Sequence, residues 1–269
     1  MSLATPSDWI WLSKHGQDPY INMLAQSVGA KSVQDLDYEA NNYPIVLRGI
    51  MKHKIMKRCW HDQRDFFYVD TGYLGNQATV TNPDANKIWH RIVRNDLQHQ
   101  EIRARPADRW QKLGLSVPKW RRGRTVVVAA PDDKPCRFYG VDRQQWVSNT
   151  VTEIRLNTDR PIRVRERVKN RQERMISEPL GQDLQDAHVL VTYNSLAAVE
   201  AIMMGVPAIV LAPVHAAAVV SGSDITQVED PPRVDQDLLH AWLCHLAYSQ
   251  FHVSEMRSGR AVAMLLEDQ

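Results

Sequence analysis

The residues best suited to chemistry lie in one run, Val189-Leu-Val-Thr-Tyr-Asn-Ser-Leu-Ala-Ala-Val-Glu-Ala-Ile-Met-Met-Gly-Val-Pro-Ala-Ile-Val210. It reads as strand, polar turn, helix, Gly-x-Pro and strand. Asn194 and Ser195 stand in the turn, where unpaired backbone N–H groups and the helix dipole attract an anion. Glu200 follows on an otherwise apolar helix, where a carboxylate accepts hydrogen bonds from vicinal sugar hydroxyls. The competing use of these residues is structural: Asn194 and Ser195 cap the helix and Glu200 faces solvent. Arg163 and Arg165 alternate in a β-like run, so they share one face. Two guanidinium groups on one face suit a diphosphate.

Asp70 ends a second apolar run, Asp65 to Asp70, and stands as a candidate general base. Capping a turn with Gly72 is its alternative use. Arg91, Arg94 and Asn95 open a stretch rich in Trp, Arg and His that extends to Arg122. Basic groups interleaved with aromatics suit a nucleic-acid acceptor. His53 and His61 are lesser candidates for acid–base work.

These residues need elements to hold them. Arg124 to Ala130, Pro161 to Arg165, Ala187 to Thr192 and Val206 to Leu211 read as strands. Asp142 to Thr152, Glu178 to Asp186, Asn194 to Met204 and Asp235 to Tyr248 read as helices, the last with Leu238, Leu239, Trp242 and Leu246 on its apolar side. This alternation argues for a parallel sheet with helices on both faces. In the N-terminal half, Tyr43 to Leu47, a basic helix over Gly49 to Trp60, and Asp65 to Asp70 form a βαβ unit. The stretch from Asn82 to Gly123 reads as irregular, and Ser254 to Leu266 as a last helix. The expected domains are 1–122 and 123–269.

The pattern Thr-x-Asn-Ser-x-x-x-x-Glu-Ala-x-x-x-Gly-Val-Pro, from Thr192 to Pro207, resembles the donor-binding element of GT-B glycosyltransferases. A related element occurs in sugar-nucleotide 2-epimerases. The resemblance implies two Rossmann-like α/β domains facing a cleft, a donor phosphate on Asn194 and Ser195, and a donor ribose on Glu200. A wider resemblance rests on Phe67-Tyr-Val-Asp-Thr-Gly-Tyr-Leu-Gly75, His90-Arg-Ile-Val-Arg-Asn95 and Thr158-Asp-Arg-Pro-Ile-Arg-Val-Arg165. These motifs are similar to those of phage and bacterial capsule-type glycosyltransferases. The donor implied is a nucleotide-sugar such as a UDP-sugar. A metal-independent transfer is expected, its leaving group stabilised by arginine.

Composition narrows the partners. The 269 residues are 43% hydrophobic and 24% charged, which excludes a disordered chain or a coiled-coil rod. No apolar run reaches the length of a membrane span, and the start lacks the pattern of a secretory signal. The three cysteines are widely spaced, so a cytoplasmic setting is expected, that of the host for a phage protein. The net charge of +2 divides into +6 through Arg122 and −4 beyond it. A basic N-terminal half beside phage-like motifs points to hydroxymethylated pyrimidines in double-stranded DNA as acceptor. A capsular or surface glycan is the alternative acceptor. A non-catalytic DNA-binding protein on a sugar-nucleotide fold is the third reading.

Overall fold

A computed structural model describes residues 5–13, 16–50, 53–76, 88–166 and 180–268. The chain forms two compact α/β units, one of Met1–Leu97 with Tyr248–Gln269, the other of Gln98–Ala247.

The first unit is built on a six-stranded sheet. Its strands are β1 (Ile10–Leu12), β2 (Ser32–Val33), β3 (Ile45–Arg48), β4 (Phe66–Thr71), β5 (Trp89–Arg94) and β10 (Gln250–His252), in the order β10-β5-β4-β3-β1-β2. The four strands from β2 to β4 are parallel, whereas β5 and β10 run antiparallel to their neighbours. Helix α1 (Pro19–Ser27) links β1 to β2. Asp18 starts it by accepting the N–H groups of Tyr20 and Ile21, with Pro19 in the first turn. Helix α2 (His53–His61) links β3 to β4. One face of the sheet buries Trp9, Trp11, Val46, Phe67 and Val69 against α1 and two C-terminal helices, α9 (Val253–Arg257) and α10 (Arg260–Glu267). The expected single tail helix is therefore two. Gly259 divides them in the left-handed conformation, which costs glycine nothing sterically.

The stretch expected to be irregular holds a strand. β5 lies between β4 and β10, with His90 and Arg91 buried. It also holds a short helix, α3 (Asp108–Lys112).

The second unit carries four parallel strands: β6 (Thr125–Ala129), β7 (Ile162–Arg165), β8 (Ala187–Thr192) and β9 (Ala208–Val210), ordered β7-β6-β8-β9. In both units the first strand lies between the second and the third, with the fourth beyond. Helices α4 (Asp133–Tyr139), α5 (Arg143–Asn157), α6 (Leu180–Asp183), α7 (Ala197–Met203) and α8 (Gln236–Tyr248) complete the unit. Its strands match the expected ones closely: β6, β8 and β9 are short apolar runs buried almost throughout, whereas β7, part-exposed at the sheet edge, is marked by its alternation. Leu238, expected on the apolar side of α8, is 37% exposed, and Leu239, Trp242, Leu243 and Leu246 form the buried face. Among the described residues, no helix is long and apolar enough to cross a membrane.

Candidate functional site

In the second sheet the chain leaves β6 toward β7 on one side and later returns to β8 and β9 on the other. Open parallel sheets bind ligands at the carboxyl ends of the strands that flank such a reversal. Here those ends are Ala129 and Thr192. Thr192 Oγ1 donates to the Ala129 carbonyl at 2.9 Å and ties the strand ends together. The next residue, Tyr193, meets Tyr139 edge-on at 5.4 Å and Trp146 at 6.1 Å. Burial pushes the Tyr193 phenol above its ordinary pKa, so it stays neutral and serves as an aromatic wall.

Asn194 and Ser195 follow, both half-buried. The helix begins at Ala197 rather than at the turn itself, and the Ser195 hydroxyl accepts the Ala197 N–H at 3.2 Å. The Asn194 side-chain amide makes no hydrogen bond among the described residues. Glu200 is half-buried on α7, whose Ala198, Val199, Ala201 and Ile202 are fully buried. These residues thus share one strand-end region. The turn is held by two side chains that sequence reasoning missed. Gln98 Nε2 donates to the Asn194 carbonyl at 3.1 Å, and His215 Nε2 to the Ser195 carbonyl at 2.9 Å. Both act on main chain far away in sequence, which leaves no local pattern to read.

Arg163 and Arg165 do share a face, as alternation requires, lying beside Val127 and Ala129. What they meet is Asp183 of α6, a buried carboxylate. Arg163 Nη1 reaches Oδ1 at 2.9 Å and Arg165 Nη1 bonds Oδ2. The pair pins α6 to the edge strand. The basic residues that follow in the sequence, Arg167, Lys169, Arg171 and Arg174, read as a solvated charged loop and lie outside the described residues.

In the first unit, Asp70 stands near the carboxyl end of β4 with its side chain 33% exposed. It accepts the Tyr68 hydroxyl, the Thr71 N–H at 2.8 Å and Arg91 Nη2 at 3.4 Å. Burial works to raise its pKa. The Arg91 charge, these hydrogen bonds and the charge of Arg48 outweigh it and hold the carboxyl below its ordinary value. Asp70 is therefore an ionised acceptor that can orient a hydroxyl, and a weak base. The turn beyond it is fixed by Gln250 of β10, fully buried, whose Oε1 accepts the N–H groups of Tyr73 and Leu74 at 2.7 and 2.8 Å. A Cβ on Gly72 would lie 2.8 Å from that oxygen and 3.0 Å from the Trp89 carbonyl. The glycine of Asp-Thr-Gly-Tyr is thus required by close approach.

The three residues expected to hold an acceptor are not together. Arg91 pairs in register with Asp70, is 6% exposed, and donates to the carbonyls of Leu97 and Thr71. Arg94 and Asn95 lie at the other end of β4, because β5 runs antiparallel to it. Arg94 forms a two-bond pair with Asp65, at 3.2 and 2.8 Å. Asn95, with φ 57°, donates to Asp65 and accepts the Phe66 N–H. Asp70 and Asn95 are thus four strand residues apart, about 13 Å at 3.3 Å per residue. His61 is exposed beside Asp62.

No family model matches the chain, and no curated protein matches its sequence. The structure resembles Thermosulfurimonas dismutans KpsC, β-Kdo 2,4 transferase, with a TM-score of 0.54 at 13% identity, over 90% of this chain and 91% of that one. The β-Kdo 2,7 transferase of the same protein aligns with a TM-score of 0.45 at 10% identity, over 82% of this chain and 85% of that one. The likeness to the 2,4 transferase is one of fold, a GT-B-like pair of Rossmann-type units.

Proposed function

We propose that the chain is a glycosyltransferase whose nucleotide-activated sugar binds at the carboxyl edge of the second sheet. The observation that carries this reading is the position of the Tyr193–Ser195 turn. It stands at the strand ends where the order β7-β6-β8-β9 reverses, with Glu200 just beyond it. In this reading Asn194, Ser195 and the N–H groups of the turn hold the donor phosphate, and Glu200 accepts the ribose hydroxyls. Electrostatic stabilisation of a leaving phosphate needs fixed donors of this kind. Arg163 and Arg165 hold α6 through Asp183 instead of a phosphate. Asp70 orients the acceptor hydroxyl, and Arg91 supports Asp70 from within the sheet.

A sugar hydroxyl is the acceptor this reading favours, in keeping with the Kdo transferase named for the similar structure. The DNA acceptor rested on the basic N-terminal half. There Arg91, Arg94 and Arg58 are engaged by Asp70, Asp65 and the pair Glu39 and Asp62, which leaves less charge for a phosphate backbone. The test is calorimetric titration with uridine, cytidine and guanosine nucleotides in the presence of a metal chelator. One nucleotide class should bind, and Glu200→Ala should weaken it about tenfold, as expected for a lost charge-assisted hydrogen bond. No binding by any nucleotide refutes the reading. Incubation of the matching nucleotide-sugar with glycan and hydroxymethylated DNA acceptors then decides between the acceptors by product mass.

A further inference from the structure

We propose that Gln98 and His215 are positioning residues that aim the donor-binding turn, an inference that rests on the donor site proposed above. Gln98 is 5% exposed and His215 fully buried. Each uses both ends of its polar group. Gln98 Oε1 accepts the Ala216 N–H at 3.0 Å while its Nε2 donates to the Asn194 carbonyl. His215 Nδ1 accepts the Ala217 N–H at 3.0 Å, so the ring proton sits on Nε2 and is given to the Ser195 carbonyl. Trp242 Nε1 in turn donates to the Ala216 carbonyl at 2.7 Å. Residues 194–195 are thereby locked to residues 216–217 through two side chains and to α8 beyond them.

The consequence follows from peptide geometry. In a trans peptide the C=O and N–H point in opposite directions. Fixing the carbonyls of Asn194 and Ser195 on Gln98 and His215 therefore turns the N–H groups of Ser195 and Leu196 away from those side chains. Neither N–H has a hydrogen-bond partner among the described residues. Two successive N–H groups held open in this way can donate to an oxyanion. Their orientation costs nothing at the moment of binding, because the buried pair has already set it. The role differs from ligand contact: neither Gln98 nor His215 needs to touch the donor.

The test compares wild type with Gln98→Glu and Gln98→Met. The glutamate keeps an acceptor for Ala216 and sets a second acceptor against the Asn194 carbonyl, whereas the methionine removes both bonds without adding charge. Each variant is titrated with the nucleotide that binds wild type and with the matching nucleoside, and its thermal midpoint is recorded. The expected result is a loss of about tenfold or more in nucleotide affinity in both variants, with nucleoside affinity unchanged. Faster hydrogen exchange at Ala216, whose N–H bonds Gln98 in wild type, should accompany it in Gln98→Met. Folded variants with full nucleotide affinity overturn the positioning role and leave the donor site standing. Equal losses for nucleotide and nucleoside also overturn it, since they show a general disturbance. Failure of wild type to bind any nucleotide refutes the donor site and this role together.

Discussion

Two glycines of the second unit share one backbone conformation and differ in what surrounds them. Gly140 has φ 70° and nothing within 4 Å of the place a Cβ would take. Gly205, from the Gly-Val-Pro motif, has φ 74°, and a Cβ there would lie 2.1 Å from the Lys119 carbonyl oxygen. Alanine at either site adopts the left-handed region at a cost of about 1–2 kcal/mol. At Gly205 it must also push Lys119 back by about an ångström, since Cβ contacts closer than 3.0 Å are essentially not found. The displaced segment is tightly tied. The Arg121 N–H donates to the Gly205 carbonyl at 2.9 Å. Its guanidinium spans the carbonyls of Met204 at 2.8 Å, Gln185 at 2.9 Å and Leu184. Loss of one or two of these bonds, two of which are exposed, costs about 0.5–1.5 kcal/mol each. Gly205→Ala should therefore be less stable than Gly140→Ala by about 1–3 kcal/mol. Urea unfolding followed by tryptophan fluorescence measures both, with the slope checked for constancy. Equal losses for the two variants, within about 0.5 kcal/mol, would refute the claim that the segment at Lys119 sets the need for glycine.

Other perturbations test the remaining parts. Asp70→Asn removes the charge that Arg91 is buried against and should destabilise the fold by about 2 kcal/mol, the cost for a buried pair reduced by the partial exposure of Asp70. It should abolish transfer while nucleotide affinity, measured by titration, stays at the wild-type value. His188 is 6% exposed. Burial and then the charge of Arg160 lower its pKa below the ordinary 6.5. The folded ring is thus neutral where the unfolded ring already takes up a proton. Its contribution is complete above about pH 6.5 and is lost as pH falls toward the folded value. The urea midpoint of wild type should drop between pH 7.5 and 5.5 more than that of His188→Gln, and parallel drops would discount this histidine.

The parts of the site legible in the sequence are those carried by contiguous residues. Strand β8, the turn and Glu200 follow one another in the chain, and their apolar runs and Gly-x-Pro punctuation mark each boundary. The convergence of Arg163 and Arg165 was equally legible, because strand alternation alone places them on one face. Its target was not, since Asp183 lies on another element and nothing local marks it. β5 escaped for a different reason. Its six residues include His90, Arg91 and Arg94, and polarity of that kind reads as surface. The sheet tolerates Arg91 because Asp70 and two carbonyls satisfy it. Gln98, His215 and Gln250 were invisible for a common reason. They serve main-chain groups elsewhere, and any buried amide or imidazole could be such a partner. Arg91, Arg94 and Asn95 looked like one cluster because they are close in sequence, whereas antiparallel pairing spreads them along a strand.

The pairing of β10 with β5 bears on the order in which the protein can be made. Residues 1–97 leave the ribosome first, yet their sheet lacks an edge strand, and the Tyr73 and Leu74 amides lack their acceptor, until Gln250 emerges. The second unit is one uninterrupted stretch and has no such wait. Vectorial synthesis thus inverts the usual N-to-C order of domain completion: the segment translated first is the last to close, and a chain released early, before residue 250, carries an open sheet edge of the kind that invites aggregation.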